Sequence, residues 1–133
     1  MRAFLFAAAA CLSGCAMPGI PNLMENGTTR TLQFAGQPGP LAECLTTARD
    51  SHGFELGVLP APVTRSRALD GGGVELQGGD DPPTLTWLAV LTPVGPTATS
   101  VALTTRDAIT LSMSGSYLAS VIEGELRACE PAR

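Results

Sequence analysis

The chain has 133 residues, of which 44 % are hydrophobic and 15 % charged, and its formal net charge is −4. This length predicts one small domain, and the composition excludes an intrinsically disordered chain. The eight basic residues are all arginines, which excludes Walker A phosphate loops, Schiff-base enzymes and Ser-x-x-Lys hydrolases, because each requires a lysine. An acidic chain with scattered arginines is also a poor nucleic-acid binder, because phosphate neutralisation dominates that affinity.

The front of the chain has the pattern of an export signal. It reads MRAFLFAAAACLSGC, with Arg2 ahead of an apolar run over residues 3–12. A charged start, a short apolar stretch and a small-residue exit are typical of a secretory signal peptide. The apolar stretch is shorter than the roughly 20 residues that a membrane-spanning helix needs.

The run Leu-Ser-Gly-Cys at 12–15 resembles the lipobox of bacterial lipoproteins. The resemblance implies that residues 1–14 are a signal peptide and that acyl chains such as palmitate on Cys15 anchor the protein in a membrane. In enteric-type sorting, Ala16 favours the outer membrane, with the inner membrane or the cell surface as alternatives. A plain cleaved signal with Cys15 as an ordinary thiol, or an uncleaved anchor, is the competing interpretation.

The rest of the chain is divided into a tether and one domain. Residues 15–29 combine prolines, glycines and asparagines without a hydrophobic period, which predicts a lipidated tether. Residues 30–133 are predicted to form a single small domain. Alternating apolar residues predict half-buried strands within it. In chain order these strands cover 30–35, 54–58, 74–77, 84–92 and 97–105, with 108–113 as an optional sixth.

Two stretches carry apolar residues at helical spacing and predict amphipathic helices. The first helix is expected to end at residues 51–53, and the second to begin at a cap provided by Ser114 or Ser116. The two apolar stripes are Leu41, Cys44, Leu45 and Ala48, and Leu118, Val121, Ile122, Leu126 and Cys129.

Two of the four cysteines are left for the folded domain. Cys11 falls in the signal peptide and Cys15 carries lipid, so Cys44 and Cys129 are expected to form a disulfide in an oxidising compartment. A redox-active pair would more typically be Cys-x-x-Cys, and two free thiols are the other alternative. A single histidine and no zinc-ligand spacing predict no metal and no cofactor.

These elements predict an α+β fold, an antiparallel sheet of five or six strands with two helices on one face, in the order β-α-β-β-β-β(-β)-α. Cys44 and Cys129 lie on the apolar stripes, so the disulfide is expected to tie the helices together, or the first helix to the sheet edge. The strand at 84–92 is apolar on both sides. The sheet face without helices must therefore be covered by the tether, a partner or a ligand.

Outside the cysteines, chemically capable residues have simple structural interpretations. His52 is expected to cap the first helix or face solvent. Trp87 is expected to lie in the core, with a groove on the uncovered sheet face as the alternative. The others are turn, cap or loop residues: Asp80-Asp81, Gly71–Gly73, the serines of 112–116, and Arg65 and Arg67, which an anion could contact. Catalysis by Glu55, Glu75 or Asp107 would need two carboxylates within about 5–10 Å, and nothing in the sequence favours it.

The sequence therefore predicts a non-enzymatic, periplasm-facing lipoprotein of the outer membrane that acts as an interaction or structural component of the cell envelope. Its partners would be the membrane, through acyl chains on Cys15, and an envelope protein, but no nucleic acid. The alternative is a small binding module for an apolar or amphipathic envelope ligand held between the curved sheet and the helices, which predicts an apolar cavity of several hundred Å³. The sequence identifies no catalytic residue.

Overall fold

Three helices and one five-stranded sheet make up the part of the chain that the structure describes. The structure is a computed structural model, and it describes residues 19–55, 64–79, 85–109 and 113–132, with only the backbone for 52–55. The elements are α1 (Gly19–Glu25), β1 (Gly27–Ala35), α2 (Pro38–Glu55), β2 (Arg65–Ala68), a 3₁₀ turn (Asp70–Gly72), β3 (Val74–Gly79), β4 (Leu85–Pro93), β5 (Ala98–Arg106) and α3 (Gly115–Cys129). The predicted α+β class is confirmed, and α1 is an additional element.

The sheet is antiparallel throughout and has the order β1-β5-β4-β3-β2. The central strand is β4, which fits its apolar residues on both faces. Its register shifts where Gly78 and Gly79 pair with Trp87 and Leu85. This irregularity moves Leu85 off the face that simple alternation predicts for it, because a bulge places an extra residue in one strand.

The main core lies between one sheet face and the helices α2 and α3. Leu45, Val101 and Ile122 have no exposed surface there, and Trp87 is 4 % exposed, which confirms its core position. A Cβ at Gly78 would collide with the indole of Trp87. Glycine on β3 therefore makes room for the largest side chain of the core.

Helix α1 packs on the opposite sheet face, which we call the α1 face, at the end where β4 begins. Leu23 of α1 is fully buried and packs with Leu85 and Leu88 of β4. Residues 19–29, part of the segment interpreted as a tether, are therefore helix α1 and the first residues of β1. The segment interpreted as a tether therefore covers this face at the end near Leu85, whereas Thr31 and Gln33 of β1, on the same face, are exposed.

The boundary between the first helix and the second strand differs from the sequence prediction. Helix α2 continues through Glu55, so the expected end at 51–53 is wrong, and Phe54 is helical rather than the start of a strand. The later part of the predicted strand, 56–58, lies outside the described residues. The second strand is instead β2, whose four residues are all exposed. It falls in the segment predicted as a loop.

Residues 110–112 of the optional sixth strand lie outside the described residues. Next to them, Ala108 and Ser114 form an isolated bridge. The backbone NH of Ile109 also donates to the carbonyl of Met113 at 3.3 Å. Ser114 then caps α3, since its Oγ accepts from the backbone NH of Tyr117. This confirms one of the two predicted caps.

Candidate functional site

The predicted lipid attachment residue, Cys15, lies outside the described residues. The described chain begins with Gly19, which is buried. A Cβ at Gly19 would lie only 2.8 Å from Cδ1 of Leu85. The start of α1 is thus seated directly against β4, close in sequence to the predicted anchor.

Cys44 of α2 and Cys129 of α3 form the expected disulfide, with their Cα atoms 5.8 Å apart and 85 positions between them in the sequence. The bond ties the two helices, as one of the two predicted arrangements had it. The expectation that both cysteines lie on inner faces is wrong for Cys44, which is exposed. The buried stripe of α2 runs instead through Leu41, Ala42 and Leu45.

A second link joins the same two helices. Arg49 Nε and Nη2 donate to the two carboxylate oxygens of Glu125 at 2.9 and 3.0 Å. The side chains are 11 % and 16 % exposed. Such a two-bond, largely desolvated pair fixes both distance and orientation. Sequence reasoning missed it because the two residues are 76 positions apart.

The α1 face carries a buried carboxylate near the β2 edge. Glu75 of β3 is 6 % exposed, and its Oε2 accepts from Nη2 of Arg67 at 2.9 Å. Its other oxygen, Oε1, is buried and has no hydrogen-bond partner among the residues that the structure describes. Arg67 was predicted to lie in a solvated loop, and its interaction with Glu75 arises because β2 pairs with β3 there. The pair is an intramolecular contact rather than an anion site.

The outer edge of β1 is partly occupied by the end of α3. Arg127 donates to the carbonyl of Gln33 at 2.9 Å, and the guanidinium carbon lies 4.3 Å from the centroid of the Phe34 ring. The carboxylate of Glu130 accepts from the backbone NH of Ala35 at 2.7 Å. The unpaired backbone groups of an open strand edge can pair with another chain. Arg127 and Glu130 occupy two of these groups, the carbonyl of Gln33 and the NH of Ala35.

An open groove of about 970 Å³ lies between one flank of α2 and the edge of the sheet. The groove is lined by both polar and apolar side chains. They include Ala42, Glu43, Thr46 and Thr47 from α2 and Ser66 and Val74 from the strands. The groove is not the apolar cavity predicted between the sheet and the helices, because it lies outside the core. In the core, the inner side chains of the helices and the sheet are buried against each other. An open, mixed lining suits an amphipathic ligand better than a purely apolar one.

The remaining candidates fall at separate places. His52 lies within the last turns of α2 rather than at its end, whereas Asp80-Asp81 lie beyond the described residues. Gly71 and Gly72 have positive φ, which confirms the expected turn. Asp107 accepts from the hydroxyl of Thr28 at 2.7 Å. Among the described residues, no group of three or more His, Cys, Asp or Glu side chains could hold a metal ion.

Comparison of the chain with family models, with curated proteins and with solved structures found no match. None of the helices in the described ranges is long and apolar enough to cross a membrane.

Proposed function

We propose that this chain is a lipid-anchored protein of the bacterial envelope, held in the outer membrane by acyl chains on Cys15 and facing the periplasm. It acts there as a non-enzymatic interaction or structural component. The observation that carries this proposal is the Leu-Ser-Gly-Cys run at 12–15, placed directly after a short apolar stretch with a basic start.

The disulfide supports export to an oxidising compartment. Disulfides persist in the periplasm and outside the cell, and thiols stay reduced in the cytosol. The bond between Cys44 and Cys129 uses both cysteines that follow Cys15. Cys15 is therefore the one cysteine after the signal region that is left for acylation.

Two of the three carboxylates considered for catalysis are used in contacts within the fold. Arg49 with Glu125 and Arg67 with Glu75 each join two elements of the fold. These contacts hold helices and strands in register. Of the three carboxylates considered for catalysis, Glu75 and Asp107 take part in contacts of this structural kind.

Substitution at Cys15 tests the anchor, and Cys11 offers a matched control. The Cys15→Ser protein should leave the membrane fraction and lose incorporation of labelled palmitate, because the acyl chains are its hold on the bilayer. The Cys11→Ser protein has the same change four positions earlier and should retain both. Palmitate incorporation that survives in Cys15→Ser would contradict the proposal.

The groove beside α2 favours a second function, the binding of a small amphipathic envelope ligand. Ser66 lines the groove, and its neighbour Arg65 points to the opposite face of the same exposed strand, because side chains alternate along a strand. Ser66→Trp should therefore displace a co-purifying ligand, and Arg65→Trp should leave it bound. Native mass spectrometry of both variants measures this. Protein without any bound small molecule would speak against the second function.

A further inference from the structure

One end of the sheet, which we call the anchor end, carries three features of interest. They are helix α1, the β4 residue Leu85 and the first turn of α3. Gly115 at the start of α3 donates its backbone NH to the carbonyl of Asp107 at 3.0 Å, directly after β5. The predicted lipid attachment residue, Cys15, precedes α1 by only a few residues.

Helix α1 is fixed to the anchor end along its length. At its start, a Cβ on Gly19 would meet Leu85 at 2.8 Å. Halfway, Asn22 Oδ1 accepts from Nη2 of Arg106 at 2.8 Å, and Nε of the same guanidinium donates to the carbonyl of Leu85 at 2.9 Å. After the helix, the carbonyl of Asn26 accepts from the backbone NH of Asp107 at 2.9 Å. The chain that leads to the anchor therefore leaves the domain from a defined place.

The connection between the anchor and this place is short. Residues 16–18 separate Cys15 from Gly19. Four Cα–Cα steps reach at most about 14 Å when fully extended. If acyl chains hold Cys15 at the bilayer, Gly19 lies within about 14 Å of the bilayer surface.

Two of the three large hydrophobic side chains that are exposed in the described residues lie at the anchor end. Met24 on α1 is 51 % exposed and Tyr117 on the first turn of α3 is 61 % exposed. Tyr side chains suit a membrane–water boundary because they combine an apolar ring with a polar tip. The third, Val94, is 50 % exposed and follows β4 at the opposite end of the sheet. The length of β4 separates it from Leu85 by about 26 Å.

We propose that the anchor end lies against the lipid bilayer, with Met24 and Tyr117 at the membrane surface and Val94 directed away from it. This inference rests on the proposed lipid anchor at Cys15. The acyl chains supply the attachment and the short connection supplies the orientation. The contact does not depend on anionic lipid, since Glu25 and Asp107 accompany Arg106 at this end.

The orientation is measured with the full lipidated protein in phosphatidylcholine vesicles that contain a nitroxide-labelled lipid. A fluorescent non-natural amino acid replaces either Met24 or Val94, two positions with nearly equal exposure. Quenching at position 24 should exceed quenching at position 94 several-fold. Equal quenching at both positions would leave the anchor end open to a protein partner or a second copy of the chain, and would overturn the proposal.

A longer connection provides the second arm of the experiment. Insertion of about ten Gly and Ser residues between Pro18 and Gly19 should abolish the difference between the two positions, because a flexible linker of that length spans a wide range of distances. A difference that survives the insertion would contradict orientation by the short connection. Loss of cosedimentation with vesicles, in contrast, would identify a failure of the lipid anchor itself.

Discussion

Arg49 of α2 and Glu125 of α3 form a two-bond ion pair at 2.9 and 3.0 Å, and on both helices this pair lies about one turn from the Cys44–Cys129 disulfide. The two helices are thus joined twice across the same seam, once covalently and once by charge. Both links join elements that are far apart in the sequence, so they fix the helix layer over the sheet. This helix layer covers the main core of the domain.

Removal of Arg49 should destabilise the domain. Arg49→Ala leaves the carboxylate of Glu125, which is 16 % exposed, without its two donors. We expect a loss of about 2–3 kcal/mol in the free energy of unfolding, measured by urea denaturation of the oxidised protein.

Glu123→Ala is the matched control on the same helix. Glu123 is 33 % exposed and lies 3.9 Å from Arg127, so its removal should cost less than about 0.5 kcal/mol. The double variant Arg49→Met with Glu125→Leu should recover most of the stability, because an apolar pair needs no desolvation of charge. An Arg49→Ala protein as stable as Glu123→Ala would show that the interhelical pair contributes little.

Reduction of the disulfide should also destabilise the domain. The bond closes a loop of 85 positions, for which the chain-entropy model gives about 4–5 kcal/mol. The melting temperature of the reduced protein should therefore fall well below that of the oxidised protein. The Cys44→Ser, Cys129→Ser double variant should melt at one temperature with or without reductant. Equal melting of oxidised and reduced wild-type protein would refute a stabilising disulfide.

Arg67 should stabilise the buried carboxylate of Glu75. Oε1 of Glu75 has no hydrogen-bond partner in the described part of the chain, so Arg67→Ala removes the one hydrogen bond described for this carboxylate. We expect a loss of about 2 kcal/mol in the free energy of unfolding. Glu75→Val in the same background should restore stability, since it replaces a buried charge with a residue suited to a strand beside Val90. Denaturant titration of the single and double variants measures the effect.

The control for this prediction is Arg65→Ala. Arg65 lies on the same strand and the same sheet face as Arg67 and is likewise exposed, but it pairs with Gln77 rather than with a buried carboxylate. Its removal should therefore change stability by less than about 0.5 kcal/mol. Similar losses of stability in the Arg65 and Arg67 variants would show that the effect comes from substitution in strand β2 and not from the ion pair with Glu75.

Arg127 should protect the edge of β1 from pairing with another chain. Arg127→Ala removes the hydrogen bond to Gln33 and the contact with the Phe34 ring. We expect concentration-dependent association of this variant, measured by light scattering coupled to size-exclusion chromatography. Arg127→Lys keeps the charge but loses the planar guanidinium, so it should associate to an intermediate degree. A monomeric Arg127→Ala protein would show that the edge needs no protection.

The central strands could be predicted from the sequence because their signal is local. Trp87 lies in an alternating apolar run, and it is buried as expected. The disulfide followed from cysteine count and compartment. The first helix was predicted to end at Gly53 because Phe54 begins an alternating apolar pattern typical of a strand. The helix in fact continues through Glu55.

The missed elements depend on contacts with distant parts of the chain. Strand β2 reads Arg-Ser-Arg-Ala and is exposed throughout, so it has no hydrophobic pattern and forms by pairing with β3. Helix α1 is too short to be stable alone, and it forms where Leu23 packs against Leu85 and Leu88. The groove beside α2 has no sequence signal, because its lining comes from residues that only the fold brings together.

The most direct test of the account is the mass of the N-terminal peptide of the protein purified from bacterial membranes. A lipoprotein should give a peptide that begins at Cys15 and carries the mass of a diacylglycerol and a further acyl chain. A peptide that extends ahead of Cys15, or that begins at Cys15 without added mass, would contradict the lipid anchor.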